Sequence, residues 1–195
     1  MNRWFVLGSG PSLTPEVMTR VWMEWNAERC TTIATNSTIF SAPWADVLFA
    51  LDHHWWKQYA DKVKDLPCEL LTSSKNALPF GPELIQKKPG RFMADGGVVG
   101  QNSGHVAAEI AAMRGADQIV LLGIDCCHVD GKAHHHPDHP NGLGNADKPH
   151  RWVHYFDGLA AELKKRRIRA INCSPHYPGE GFERMTLEAL LDGSR

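Results

Sequence analysis

The chain has 195 residues, with 21 Lys and Arg against 22 Asp and Glu and a formal net charge of -1. No global basic field exists to hold a polyanion, which disfavours a nucleic-acid coat protein. Hydrophobic residues at 43% and charged residues at 22% are those of an ordinary globular protein, excluding disordered, collagenous and coiled-coil classes, and the length fits one domain, 1–195. The unusual entries in the composition are 11 His and 7 Trp, because packing alone rarely asks for so much imidazole. The first apolar run, 4–7, is too short for a signal peptide, and no stretch approaches the roughly 20 apolar residues of a membrane helix, so a cytoplasmic protein without membrane contact is expected. The five cysteines, Cys30, Cys68, Cys126, Cys127 and Cys173, are odd in number and form no C-x-x-C pair, which points to reduced thiols.

Short apolar runs at 3–7, 31–35, 47–51, 118–122 and 168–171 read as buried parallel strands. Helical spacing of apolar residues appears at 15–28, 54–63, 103–114, 152–167 and 182–191. Strands alternating with helices imply right-handed crossovers and a Rossmann-like, doubly wound α/β fold, with a mainly parallel sheet and helices on both faces. Two stretches break the rhythm, 71–97 and 126–149. The second is polar and rich in His, Gly, Pro and Asn, and a loop of that length is usually functional or disordered.

The first strand runs into Gly8-Ser9-Gly10-Pro11-Ser12-Leu13, followed by Thr14 as N-cap and Pro15 in the first helical turn. Glycines after a first strand let the backbone approach a ligand, and free amides beside a helix N-terminus favour phosphate. The segment is neither a P-loop nor a full dinucleotide fingerprint, so a bare tight turn is the competing reading. Asn36 and Asp52 follow strands two and three, at the sheet edge where such folds bind ligands, and each could equally be a turn residue. Gly96-Gly97 leads toward Gln101-Asn102-Ser103-Gly104-His105 and an Ala-rich helix; Ser103 is the expected N-cap, offering a second positive helix end. Gly123-Ile124-Asp125 then puts a carboxylate on the same edge.

This order, G-x-G-P-S-L, Asn after strand two, Asn-Ser-Gly opening a helix and G-I-D after the next strand, resembles the family-42 sialyltransferases. It is also similar to the DUF115 group that contains archaeal 6-hydroxymethyl-dihydropterin diphosphokinases, and to small phage-borne members with a His-rich loop. The resemblance implies that Gly8, Ser9, Gly10 and Ser12 form the nucleotide loop, that Asn36 contacts the nucleoside, and that Asn102, Ser103 and Gly104 meet the donor. It places Asp125 on the G-I-D aspartate and His150 on the general base. The phosphate-binding tyrosines that should follow G-I-D are missing, since Cys126, Cys127 and His128 stand there.

From His128 to His139 histidines crowd one loop. His134, His136, Asp138 and His139 make a plausible zinc set, although their spacing matches no established zinc motif. The loop reads better as a lid whose histidines, with Lys132 and Arg151, replace the tyrosines as phosphate donors; an incidental solvated loop remains a third option. His150, with His154 one turn later, is the candidate general base, since a neutral imidazole can take a proton from an acceptor hydroxyl. The basic run 164–169 reads as a solvated helix end with Glu162 pairing Arg166, so nucleic acid is not expected as a partner. Trp55 and Trp56 read as core or, in a homo-oligomer, interface.

The leading expectation is a nucleotide-dependent transferase moving a sugar from a CMP-like nucleotide to a hydroxyl acceptor, which needs no cofactor. The alternatives are pyrophosphoryl transfer from ATP to a pterin-like substrate, which normally needs a divalent metal such as Mg or Zn, and a non-catalytic nucleotide-binding module.

Overall fold

A computed structural model describes residues 1–87, 98–140 and 143–193. Its centre is an eight-stranded, wholly parallel sheet, with β1 Arg3–Leu7, β2 Thr31–Thr35, β3 Val47–Phe49, β4 Glu69–Thr72, β5 Glu83–Leu84, β6 Gln118–Leu122, β7 Arg169–Asn172 and β8 Glu183–Arg184. The strand order is β5-β4-β3-β2-β1-β6-β7-β8. The chain therefore winds outward from β1 in one direction as far as β5, then returns to place β6 on the other side of β1. That reversal makes the gap between the carboxyl ends of β1 and β6 the topological switch point, where ligands of such folds bind.

The helices are α1 Pro15–Asn26, α2 His53–Val63, α3 Ser103–Met113, α4 Val153–Lys165 and α5 Leu187–Asp192. Alternate residues of the central strands feed two cores. Trp4 and Val6 of β1 with Ile119 and Leu121 of β6 pack under α3 and α4. Phe5 and Leu7 with Val120 and Leu122 pack under α1, α2 and α5. Period-two side-chain alternation in strands buried on both faces thus produces the doubly wound arrangement expected from the sequence. Trp55 and Trp56 belong to the second core and are almost wholly buried.

The expected run 47–51 stops at Phe49, because Asp52 begins the next helix as its N-cap. Strands β4, β5 and β8 fall outside the expected runs. The expected helix 182–191 splits into β8 and a shorter α5 capped by Thr186. The basic segment does close α4, where Glu162 pairs with Lys165, and Arg169 pairs with Glu183 across β7 and β8. All five cysteines are free thiols. Among the described residues no helix is long and apolar enough to cross a membrane. Gly96 and Gly97 lie outside the described residues, as do 141–142 of the 126–149 loop.

Candidate functional site

The carboxyl ends of β1 and β6 are pinned together. Gly8 N donates to the Leu122 carbonyl and Gly10 N to the Gly123 carbonyl, each at 2.8 Å. A Cβ at Gly8 would strike the Gly123 carbonyl and Ile124, and one at Gly10 would strike the Asp125 carboxylate. Gly123 has a φ of +65°, where a side chain would be strained, and its own Cβ would press on Leu13. The crossing of two backbones at the switch point requires these glycines, and Gly8, Gly10 and Gly123 also line the cavity described below.

Asp125 is almost fully buried. Its Oδ2 accepts from Ser12 N at 3.0 Å and from Ser12 Oγ at 2.9 Å. Ser12, expected in the nucleotide loop, thus spends its donors on Asp125 and does not line the cavity described below. Burial raises the Asp125 carboxyl above the usual carboxylate range, opposed by the two Ser12 hydrogen bonds.

Ser103, the expected cap of α3, does not cap it. Asn102 takes the role, its side chain accepting from His105 N at 2.9 Å. Ser103 is instead the first helical residue. Its hydroxyl donates to Asn36 Oδ1 at 3.0 Å and accepts from Leu51 N at 3.2 Å. Asn36 has a φ of +49°, a left-handed conformation that Asn tolerates better than most residues. Its Oδ1 is engaged by Ser103, so Nδ2 is the donor left for a ligand. The Ser103 and Gly104 amides have no acceptor within the helix, as first-turn amides never do. The positive end of α3 faces the switch point.

Between these elements lies a cavity of about 160 Å³. Ser9 and Gly10, Asn36, Asn102 to Gly104, and Gly123 to Cys127 form its floor and walls, with Trp152 and Phe156 on one side. Ala133, His134, His139, Gly144 and Ala146 of the long loop cover it. Three buried polar atoms on residues of this wall have no hydrogen-bond partner among the described residues: Asn102 Nδ2, Asp125 Oδ1 and His134 Nε2. Buried polar groups without partners are rare in folded proteins, and three on the wall of one cavity mark a place for a polar ligand. Cys126 also carries a left-handed φ of +51°, the kind of local strain that gathers at ligand sites. Burial pushes its thiol up to about 12 and raises that of Cys127 as well, so neither supplies a thiolate nucleophile near neutral pH.

The loop is held down by histidines. His135 N donates to the Ser9 carbonyl at 3.0 Å, and His135 Nε2 lies 3.2 Å from Thr38 Oγ1. Because Thr38 Oγ1 already donates to the Gly8 carbonyl, it accepts from His135, which fixes the proton on Nε2. His139 Nδ1 lies 3.4 Å from Ser37 Oγ. Burial lowers the imidazoles of His134 and His135 to about 4 and lowers those of His136 and His139. Neutral at pH 7, they are hydrogen-bonding groups rather than the cationic phosphate donors expected of a lid.

Other expected site residues fall elsewhere. Asp52 accepts from His54 N at 2.9 Å as the cap of α2 and lines a separate depression with His53, Ser73 and Lys87. His150 is exposed on the 3-10 turn Pro149–Trp152, whose Pro149 and Trp152 do line the cavity. Lys132 borders a different groove beside Trp22 and Trp44, and Arg151 is exposed and outside the cavity wall. Sequence reasoning missed the Thr38, Ser37 and Ser9 anchors of the loop; no local pattern signals a contact across about a hundred residues.

No family model matches the chain, and no curated protein does so. Among solved structures it is similar to the sialyltransferase CstII from Campylobacter jejuni in complex with a substrate analogue, CMP-3FNeuAc. The TM-score is 0.41 and the identity 12%, over 95% of this chain and 86% of that one. The likeness says nothing of the residues that line the cavity.

Proposed function

We propose that this chain is a nucleotide-dependent transferase, and that the cavity at the switch point takes the nucleotide or its sugar conjugate. The observation that carries this reading is the set of partnerless buried polar atoms on the cavity wall, Asn102 Nδ2, Asp125 Oδ1 and His134 Nε2, beside the free amides at the start of α3. A helix N-terminus favours an anionic phosphate, Asn36 Nδ2 and Asn102 Nδ2 supply directional donors for base or ribose, and the half-buried Trp152 supplies an apolar wall. The motif order noted in the sequence supports the narrower form, transfer of a sugar from a CMP-like donor to a hydroxyl acceptor. In that reaction His150, at the rim, takes the acceptor proton as the nucleotide leaves with its bonding electron pair. The long loop acts as a lid that must lift for the donor to enter, since the covered cavity is smaller than the few hundred Å³ usual for ligand pockets.

The test is a thermal-shift and calorimetric screen of the full chain against CMP, CTP, UDP, ATP and GDP. Ligand at about a hundredfold excess over Kd should stabilise the native state by about 2.7 kcal/mol, and failure of every nucleotide to do so overturns the proposal. With a binding nucleotide found, its sugar conjugates are assayed for nucleotide release in the presence of hydroxyl acceptors. His150→Ala should then lower kcat by about 10²–10⁴ without altering nucleotide Kd. A protein that binds but transfers nothing from any conjugate would be a binding module instead.

A further inference from the structure

His134, His136 and His139, expected from the sequence as a zinc set with Asp138, do not converge. The His134 and His136 rings stack at an interplanar angle of 14°, and among the described residues no group of three or more His, Cys, Asp or Glu is arranged to hold a metal. The outer side of the same loop carries a different feature. His134 and His135 form one wall of a groove of about 520 Å³, whose other walls come from the segment after Gly10, from α1, and from Ser41 and Trp44. That size is usual for a ligand site. His134 lines both the groove and the covered cavity, so the two spaces are neighbours across one side chain.

The lining suits a ligand with an apolar face and a rim of hydroxyls. Trp22 and Trp44 both stand in the groove. Trp22 is 41% exposed, although tryptophan is highly buried on average. Trp44 is half-buried and braced, its ring centroid 5.4 Å from that of Trp25, whose indole N–H donates to Asp46 Oδ1 at 2.9 Å. A side chain already held in place loses little freedom on binding. Thr14, Thr19 and Ser41 add hydroxyls. Thr14 Oγ1 accepts from Val17 N and so keeps its proton to donate, whereas Thr19 Oγ1 donates to the Pro15 carbonyl and keeps lone pairs to accept.

Charge narrows the ligand further. Among the described residues that line the groove, Lys132 is the one cation and none is acidic; His134 and His135 are neutral at pH 7. The backbone of Lys132 is fixed by a tight turn, in which Lys132 N donates to the Val129 carbonyl at 2.9 Å and Val129 N to the Lys132 carbonyl at 3.1 Å. The two central residues, Asp130 and Gly131, have φ of +50° and +74°, as two-residue hairpin turns favour. A nucleobase would ask for amide groups to read its edge, and no Asn or Gln lines the groove. An extended peptide would ask for an open sheet edge, and none of the eight sheet strands contributes to it.

We propose that this groove binds an acidic saccharide, with the apolar face of a sugar ring against Trp22 and Trp44, ring hydroxyls on Thr14, Thr19 and Ser41, and a carboxylate on Lys132. The groove requires no nucleotide, so the proposal stands or falls separately from the transferase reading.

The experiment titrates the full ¹⁵N-labelled chain, without nucleotide, with trisaccharides of glucuronate and of galacturonate and with their methyl esters, up to about 10 mM, which reaches Kd values in the millimolar range. The indole N–H signals of Trp22 and Trp44, assigned from Trp22→Phe and Trp44→Phe, report on the groove. The expected result is a saturable movement of both signals with an acidic trisaccharide and weaker binding of its ester. Trp22→Ala should weaken binding by about tenfold, the scale of an aromatic anchor, while melting within a few degrees of the parent, since the ring stands at the surface. Lys132→Gln should weaken the acid by about fivefold, the upper scale of an exposed ion pair, and leave the ester unchanged. Failure of every probe to move either indole signal overturns the proposal. So does a movement that survives Trp22→Ala, and equal affinity for acid and ester overturns the assignment of an acidic ligand to Lys132.

Discussion

Ser12 gives both its backbone N–H and its hydroxyl to one oxygen of Asp125, at 3.0 and 2.9 Å, and so ties the end of the first loop to the end of β6 from within. The other oxygen of that carboxylate is buried and has no partner. One side chain thus both braces the switch point and offers the cavity an acceptor. Asp125→Ala should cost about 1–3 kcal/mol, since it orphans two donors in a half-buried place. Urea denaturation of the variant without ligand checks this directly.

The same carboxyl makes a prediction about pH. Burial raises its folded pKa, so in the window between the unfolded carboxylate value of about 3.9 and the raised folded value the native state binds more protons than the unfolded chain. Stability from this group therefore falls as pH rises through that window, and the penalty is fully present above it. Asp125→Asn removes the titration while keeping an oxygen for Ser12. The difference in stability between Asp125→Asn and the parent should shift in favour of Asn from pH 4 to pH 7. A shift in the opposite direction would mean that the Ser12 hydrogen bonds outweigh burial.

Glycines in this chain divide by what surrounds them. At Gly10 a Cβ meets the Asp125 carboxylate and the Gly123 carbonyl, whereas at Gly158, within α4, it meets nothing within 4 Å. Gly10→Ala should destabilise by about 1–3 kcal/mol through overpacking and should abolish nucleotide binding by displacing Asp125. Gly158→Ala should stabilise by about 0.5–1 kcal/mol through helix propensity alone. Melting temperatures of the two variants moving in opposite directions is the expected outcome.

Why some of this was legible and some not follows from particular residues. The central strands β1, β2 and β6 are short runs of apolar and β-branched residues buried on both faces, and they stand within the expected bounds because burial, not neighbours, decides them. Glu83–Leu84 and Glu183–Arg184 are two-residue edge strands whose pairing depends on register with β4 and β7; nothing local announces them. At the site, Asn36, Asn102, Ser103, Gly104 and Asp125 come together as their positions after strands or before a helix suggested. Asp52 does not, since a carboxylate after a strand serves equally well as a helix cap. The glycine loop was legible as a close approach, but the partner that it approaches is the backbone of β6.

Asn36 offers a cleaner probe of the cavity than any glycine. Its left-handed backbone would be strained by alanine, so Asn36→Ala mixes strain with loss of the side chain. Asn36→Gly keeps that conformation accessible and removes only the amide. The Ser103 hydroxyl loses its acceptor but still receives the Leu51 N–H, and the cavity gives it space to turn toward water or ligand. Asn36→Gly should therefore melt within a few degrees of the parent, while binding the nucleotide about tenfold more weakly, the effect of about 1.4 kcal/mol expected when one directional hydrogen bond is lost. Calorimetric titration with the nucleotide that stabilises the parent reads this directly. Equal affinity in parent and variant would remove Asn36 from the binding wall and leave its role as the turn that sets Ser103 in place.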